Sequence, residues 1–231
     1  MNQDETIALF LQGKDAWNAW AEAMLAEREA MEADGRWAAE HDAGDLEPQN
    51  DATRDWMARA SANFSVARFV TRAVADAEKA KGRDKEQNTL DMPRVKLIIA
   101  EKHIIGFQGW IFPWKVGFDK AQFHGRAEFD GAQFHGGGRF SEAQFHSGTG
   151  FRAVRFHGWT GFSEAQFHGD AWFDEAQFHG KAWFDATQFY GWAGFGTAQF
   201  HYEAWFCAAQ FHQEAKFASS LSDLTAASVA R

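Results

Sequence analysis

Eight of the ten histidines occupy one position of an eleven-residue period. His124, His146, His168 and His212 fall at multiples of 22, with Tyr190 in the open place, and His135, His157, His179 and His201 form a second series. Imidazole is both a metal ligand and the side chain whose charge changes nearest to neutral pH. Rings stacked at the spacing of adjacent strands, under about 5 Å, would resist simultaneous protonation. A closed zinc site needs four ligands converging on one point, and no Cys or carboxylate recurs beside these histidines. His124, His146, His168, His135, His157 and His179 therefore stand as candidates for a metal-binding or pH-responsive surface. The plainer reading is an imidazole tolerated at a corner and duplicated with its repeat. No Gly-rich phosphate loop, C-x-x-C or H-E-x-x-H motif is present. Asp130, Asp174, Glu175 and Asp185 are scattered, with Arg and Ser between them, unlike the paired acids of sugar-cleaving enzymes. No catalytic residue and no cofactor are expected, and the chain reads as a non-enzyme.

The elements that carry these residues are set by phenylalanine. From Phe107 to Phe217 a Phe recurs at alternating steps of five and six, in a unit close to A-Q-F-H-G-x-A-x-F-x-x. On an α-helix, at about 100° per residue, such steps land about 140° and 240° apart and make no stripe. As strands the pattern resolves, because two residues before each Phe stands a small one, most often Ala, and period two puts both on one face. Phe118, Phe123, Phe129, Phe134, Phe140, Phe145, Phe151, Phe156, Phe162, Phe167, Phe173, Phe178, Phe184, Phe189, Phe195, Phe200, Phe206, Phe211 and Phe217 are the expected core. Each buried ring contributes about 2 kcal/mol before chain entropy is subtracted. Thr149, Thr160 and Thr187 take inward places, which leaves no outward threonine ladder for ice binding. A unit this short cannot bury its own apolar face, so the chain must stack copies of it into a solenoid.

Tandem A-x-F-x-x resembles the pentapeptide-repeat family over about 105–217 and in the fragment A-N-F-S-V-A-R-F at 62–69. The resemblance implies a right-handed quadrilateral parallel β-helix with four repeats per coil. This chain departs from the family's pattern by one extra residue in every second unit, after Phe-His-Gly, so coils of about 22 residues are expected, roughly five in all. The glycine at that corner is read as supplying a φ that a wider turn requires. Outward residues then form ladders, Gln122, Gln144, Gln166, Gln188 and Gln210 on one side and Gln133, Arg155, Gln177 and Gln199 on the other. Some members of the family mimic duplex DNA and bind DNA gyrase, a reading that needs a strongly acidic flank. Residues 118–217 carry 11 Asp and Glu against 7 Lys and Arg, a poor imitation of DNA.

Ahead of the repeats, Trp17, Trp20, Met24, Arg28 and Met31 mark a helix over Lys14–Asp34, and Asn50 or Asp51 caps a second one to about Ser61. Asp42 to Asn50 reads as a loop, Thr71 to Asp91 as a short helix followed by a loop from Gly82, and Arg94 to Ile99 as a strand. The expected organisation is a mainly β protein: a helical region 1–94, a solenoid 95–217 and a tail or cap 218–231. Trp183 and Trp205 share an outward column, Trp172 lies opposite, and Trp159 and Trp192 stand at the longer corners; together they are the expected partner-binding surface. Net charge −9 argues against a nucleic-acid partner. One cysteine, Cys207, excludes a disulfide framework, and no run is apolar and long enough for a signal core or a membrane span. These features point to a cytoplasmic, non-catalytic solenoid that docks a protein partner and dimerises through its C-terminal coil.

Overall fold

The computed structural model describes residues 1–42, 45–70, 72–80, 96–98 and 104–217. The Phe-rich part is the expected four-sided parallel β-helix of about five coils. Its four sheets hold six, five, six and seven strands. Each strand is only two or three residues long and pairs in parallel with the one 22 positions on, as Gln122↔Gln144 and Phe123↔Phe145 do on one side. Gln133↔Arg155 and Phe134↔Phe156 pair on the opposite side. In chain order the sides are named here by an outward residue: the Trp172, Gln133, Trp183 and Gln122 faces.

Shortness follows from the unit. One small residue and one Phe point inward, one polar residue points out between them, and the chain then turns a corner. Inside, each Phe stacks on its counterpart, with centroids 4.7 Å apart for Phe123 and Phe145 and 4.8 Å for Phe129 and Phe151. Neighbouring columns meet edge to face, as Phe129 and Phe140 do at 5.6 Å and 88°. Both geometries suit the ring quadrupole, at about 0.5–1.5 kcal/mol per pair beyond burial.

The corners differ from expectation. At the shorter corner Ala121 N donates to Phe118 O (3.0 Å), and Lys120 adopts φ +57°. Glu142, Glu164 and Glu175 repeat this left-handed turn, so the positive φ falls on ordinary residues of the short corner. The glycines after Phe-His serve another purpose. A Cβ on Gly158 would stand 2.5 Å from the carbonyl of Gly136 in the preceding coil. Close approach of successive backbones, and not a special dihedral, makes glycine favourable there.

The fragment at 62–69 completes the first coil. Ala62–Asn63 pairs with Val116–Gly117, and Arg68–Val70 lies beside Gln122–Phe123. The chain leaves this coil after Val70 and returns at Ile104–Gly106 and Ile111–Phe112 to supply the other two sides. Lys96–Ile98 pairs with Arg68–Val70 at the edge of the same sheet.

Among the described residues four helices accompany the solenoid: α1 (Gln3–Phe10), α2 (Lys14–Ala33), α3 (Asp51–Ala60) and α4 (Arg72–Ala80). Asn50 caps α3 by accepting from Thr53 N at 2.8 Å. The stretch read as a loop from Asp42 contains instead an antiparallel hairpin, β1 (Ala39–Asp42) with β2 (Asp45–Pro48). Its composition favours turns, and packing overrides it: Ala39 and Leu46 lie against a cluster of Met31, Trp56 and Trp114. The expected loop from Gly82 and the tail from Ala218, with Leu221, Leu224 and Val229, lie outside the described residues.

Helices α1 and α2 cover the first coil. Phe10 packs on Phe64, Phe69 and Phe107, and Trp17 on Phe64 and Phe112. Asn18 continues the sheet hydrogen bonding at this edge. Its Nδ2 donates to Gly109 O (3.0 Å), and its Oδ1 accepts from Ile111 N (3.0 Å).

Candidate functional site

The coil geometry turns each outward position into a column. His124 and His146 stack at 4.2 Å, His146 and His168 at 5.3 Å, and the series runs on through Tyr190 to His212. His135, His157, His179 and His201 stack at 4.8, 5.4 and 4.5 Å. Burial, followed by the next imidazole and then Arg28, pushes His135 down to about 4. Burial first and the neighbouring histidine second also lower His146, His157 and His179. Parallel rings place their nitrogens in successive layers. Among the described residues no group of three or more His, Cys, Asp or Glu side chains is placed to hold a metal ion.

Glutamine amides join rungs less uniformly than a continuous ladder would. Gln122 Nε2 donates to Gln144 Oε1 at 3.3 Å, while Gln177 Oε1 lies 3.4 Å from a ring nitrogen of His179. Three of the four acids that look scattered in sequence, Asp130, Asp174 and Asp185, carry a regular bond instead, as does Asp170. Asp130, Asp170, Asp174 and Asp185 each accept, through Oδ1, the backbone N–H 22 residues on: Arg152, Trp192, Gly196 and Cys207. They tie coil to coil at the corners and do not assemble into a cleft. Their signal in sequence was the 22-residue offset, not proximity to another acid.

The tryptophans divide between two opposed faces. Trp183 and Trp205 stack at 5.3 Å, and Trp159 meets Trp183 edge to face at 6.1 Å, giving one aromatic run over three coils. Trp159 has room because Gly137 sits beneath it, where a Cβ would stand 2.5 Å from the indole. Lys181 Nζ lies 5.5 Å from the centre of Trp205. On the far face the guanidiniums of Arg126 and Arg152 lie 5.3 and 5.1 Å from the centre of Trp172, and the Trp192 ring lies over Gly194, the residue paired with Trp172 on the next coil. All five indoles are half-buried.

A groove of about 400 Å³ lies where the helical module meets the corner between the Gln133 and Trp183 faces. Arg28, Trp37, Trp114, His135, His157 and Trp159 line it. Arg28 lies 4.7 Å from the centre of Trp37 and 5.8 Å from that of Trp114. Sequence reading missed this site, since Arg28 and Trp37 are separated from the repeats by the whole of α3.

Four sides and an unbroken Phe core are the geometry that tandem five-residue units produce, with one extra residue in every second unit widening the coil to 22, and the family comparison agrees. A profile described as pentapeptide repeats (9 copies) matches residues 107–155, 129–177 and 162–206. Residues 107–206 are pentapeptide repeats. Neither a curated protein nor a solved structure matches the chain. The pentapeptide-repeat match begins at Phe107, so α1 to α4, the hairpin and the Arg28 side of the groove lie outside it. No helix among the described residues is long and apolar enough to cross a membrane.

Proposed function

We propose that this pentapeptide-repeat protein is a non-catalytic interaction solenoid that works in the cytoplasm and docks a protein partner on its Trp183 face. The observation that carries this reading is the run of Trp159, Trp183 and Trp205, three half-buried indoles on successive coils of a flat side. Aromatic anchors of this kind concentrate binding energy at protein interfaces. The family lends support, since its solenoids generally serve as interaction scaffolds. Trp172 and Trp192 offer a second contact on the opposite face. A homodimer forms through the last coil, where Phe200, Phe211 and Phe217 are half-buried while their inner counterparts Phe178, Phe189 and Phe195 are fully buried.

The test is affinity isolation of the tagged protein beside a Trp183→Ala, Trp205→Ala variant. A stoichiometric partner that is lost in the variant is the expected result. Recovery of gyrase subunits by both proteins would instead favour DNA mimicry. Absence of any protein partner from both samples would overturn the docking reading.

A further inference from the structure

The groove between the helical module and the solenoid gathers hydrogen-bond donors that meet no protein acceptor among the described residues. Arg28 Nε donates to Glu32 Oε1 at 2.8 Å, and its two terminal nitrogens meet no acceptor among the described residues. The indole N–H groups of Trp37, Trp114 and Trp159 are in the same state, whereas those of Trp17 and Trp56 donate to the carbonyls of Ile111 and Met24. Thr160 Oγ1 is the one fully buried side-chain polar atom without a partner among the described residues, so these indole donors are open to solvent. No carboxylate lines the groove. His135 and His157 add two imidazoles to the wall, and the positive charge of Arg28 reaches His135 despite the Glu32 pair.

We propose that this groove binds a planar aromatic acid, its ring against the indoles of Trp37, Trp114 and Trp159 and its carboxylate on the terminal nitrogens of Arg28. A guanidinium presents two parallel N–H groups to a carboxylate. Here its central carbon lies 4.7 Å from the centre of the Trp37 ring. The indole edges supply further donors, and about 400 Å³ accommodates a bicyclic ligand. Gly136, Gly137 and Gly158 keep the floor open on the solenoid side. The site adjoins the docking face at Trp159, which lines it, whereas Trp183 and Trp205 do not.

Titration of the full chain with 2-naphthoate, followed in ¹H–¹⁵N spectra, tests this directly. The Nε1–H resonances of Trp37, Trp114 and Trp159 should shift saturably, and that of Trp17 should not. The neutral 2-naphthamide should bind about tenfold more weakly, for want of the charge-assisted pair. Arg28→Gln should abolish that preference while the Trp17 resonance, which reports α2 seated on the first coil, stays in place. If Arg28→Gln disturbs Trp17, then Trp159→Ala, on the solenoid side, serves instead and should weaken naphthoate about tenfold. Trp205→Ala, which neither lines the groove nor packs on Trp159, should leave binding unchanged. No saturable shift, equal binding of acid and amide, or full binding by Trp159→Ala would each overturn the proposal.

Discussion

His135 combines three influences in one ring: partial burial, a stacked imidazole and a nearby guanidinium. Its folded-state value is depressed to about 4 from an ordinary 6.5, so between those limits the unfolded chain binds more protons than the folded one. Stability is therefore full above about pH 6.5 and falls as pH drops through the window to about 4. The loss from this residue is on the order of 3 kcal/mol at most, and the lowered His146, His157 and His179 act in the same direction. Denaturant midpoints at pH 7 and 4.5 should differ, and His135→Gln should narrow the difference. A pH-flat midpoint in the wild type would contradict this. Glycine at the longer corner carries a second prediction at this scale. Gly158→Ala sets a methyl against the Gly136 carbonyl and should cost about 1–3 kcal/mol in equilibrium unfolding. The range is moderate because Ser147, Tyr202 and Gln213 stand at matching corners of other coils, so the backbone there can give. An unchanged midpoint would show that the close approach is not limiting.

At the scale of elements, the solenoid's first coil would present an open strand edge, a template for unwanted pairing. Helices α1 and α2 close it with Phe10 and Trp17 against the rings and Asn18 against the backbone. Replacing Asn18 by Leu keeps the size but leaves Gly109 O and Ile111 N without this partner. Each unsatisfied group costs about 1–3 kcal/mol, so about 2–6 kcal/mol in total is expected, with faster amide exchange at Ile111. Unaltered exchange there would mean that water replaces the amide at little cost. The helices were legible because Trp17, Trp20, Met24 and Met31 keep helical spacing, and Asn50 is a good cap. The hairpin was not, because Asp, Gly and Pro write a loop locally, and only the Met31, Trp56 and Trp114 cluster rewards pairing. The groove was illegible for the same reason: its two walls are separated by far more chain than any local pattern spans.

At the scale of the molecule, the coil has an approximate twofold character, since both halves repeat one eleven-residue unit. Deleting residues 188–198 removes one unit, lets Gln199-Phe200 take the place of Gln188-Phe189, and keeps every Phe column filled. Cooperative thermal unfolding should survive, because each coil contacts only its neighbours. The deletion carries Trp205 to the opposite face, away from Trp183, and should abolish partner capture without unfolding the chain. Loss of the cooperative transition would show that the two half-coils are not interchangeable.

Periodicity determined that residues 107–217 stack as a solenoid of short strands, while the four-sided coil was what the family resemblance implied. An inward Phe every five or six residues, with a small partner two before it, has one efficient burial scheme, and stacking at 22 residues follows from the corner insertions. It equally determined the columns of histidine and glutamine, since an outward residue in a strict repeat must lie above its copy. Tertiary structure decided what no repeat encodes. The fragment at 62–70 had to find its two missing sides more than thirty residues downstream, at 104–112, to close the first coil. The dihedrals of the short corner, the coil-to-coil aspartate bonds and the meeting of Arg28 with Trp114 and His135 arise from how separate segments pack. Local spacing carries no information about a contact whose two partners are brought together only by the folded coil.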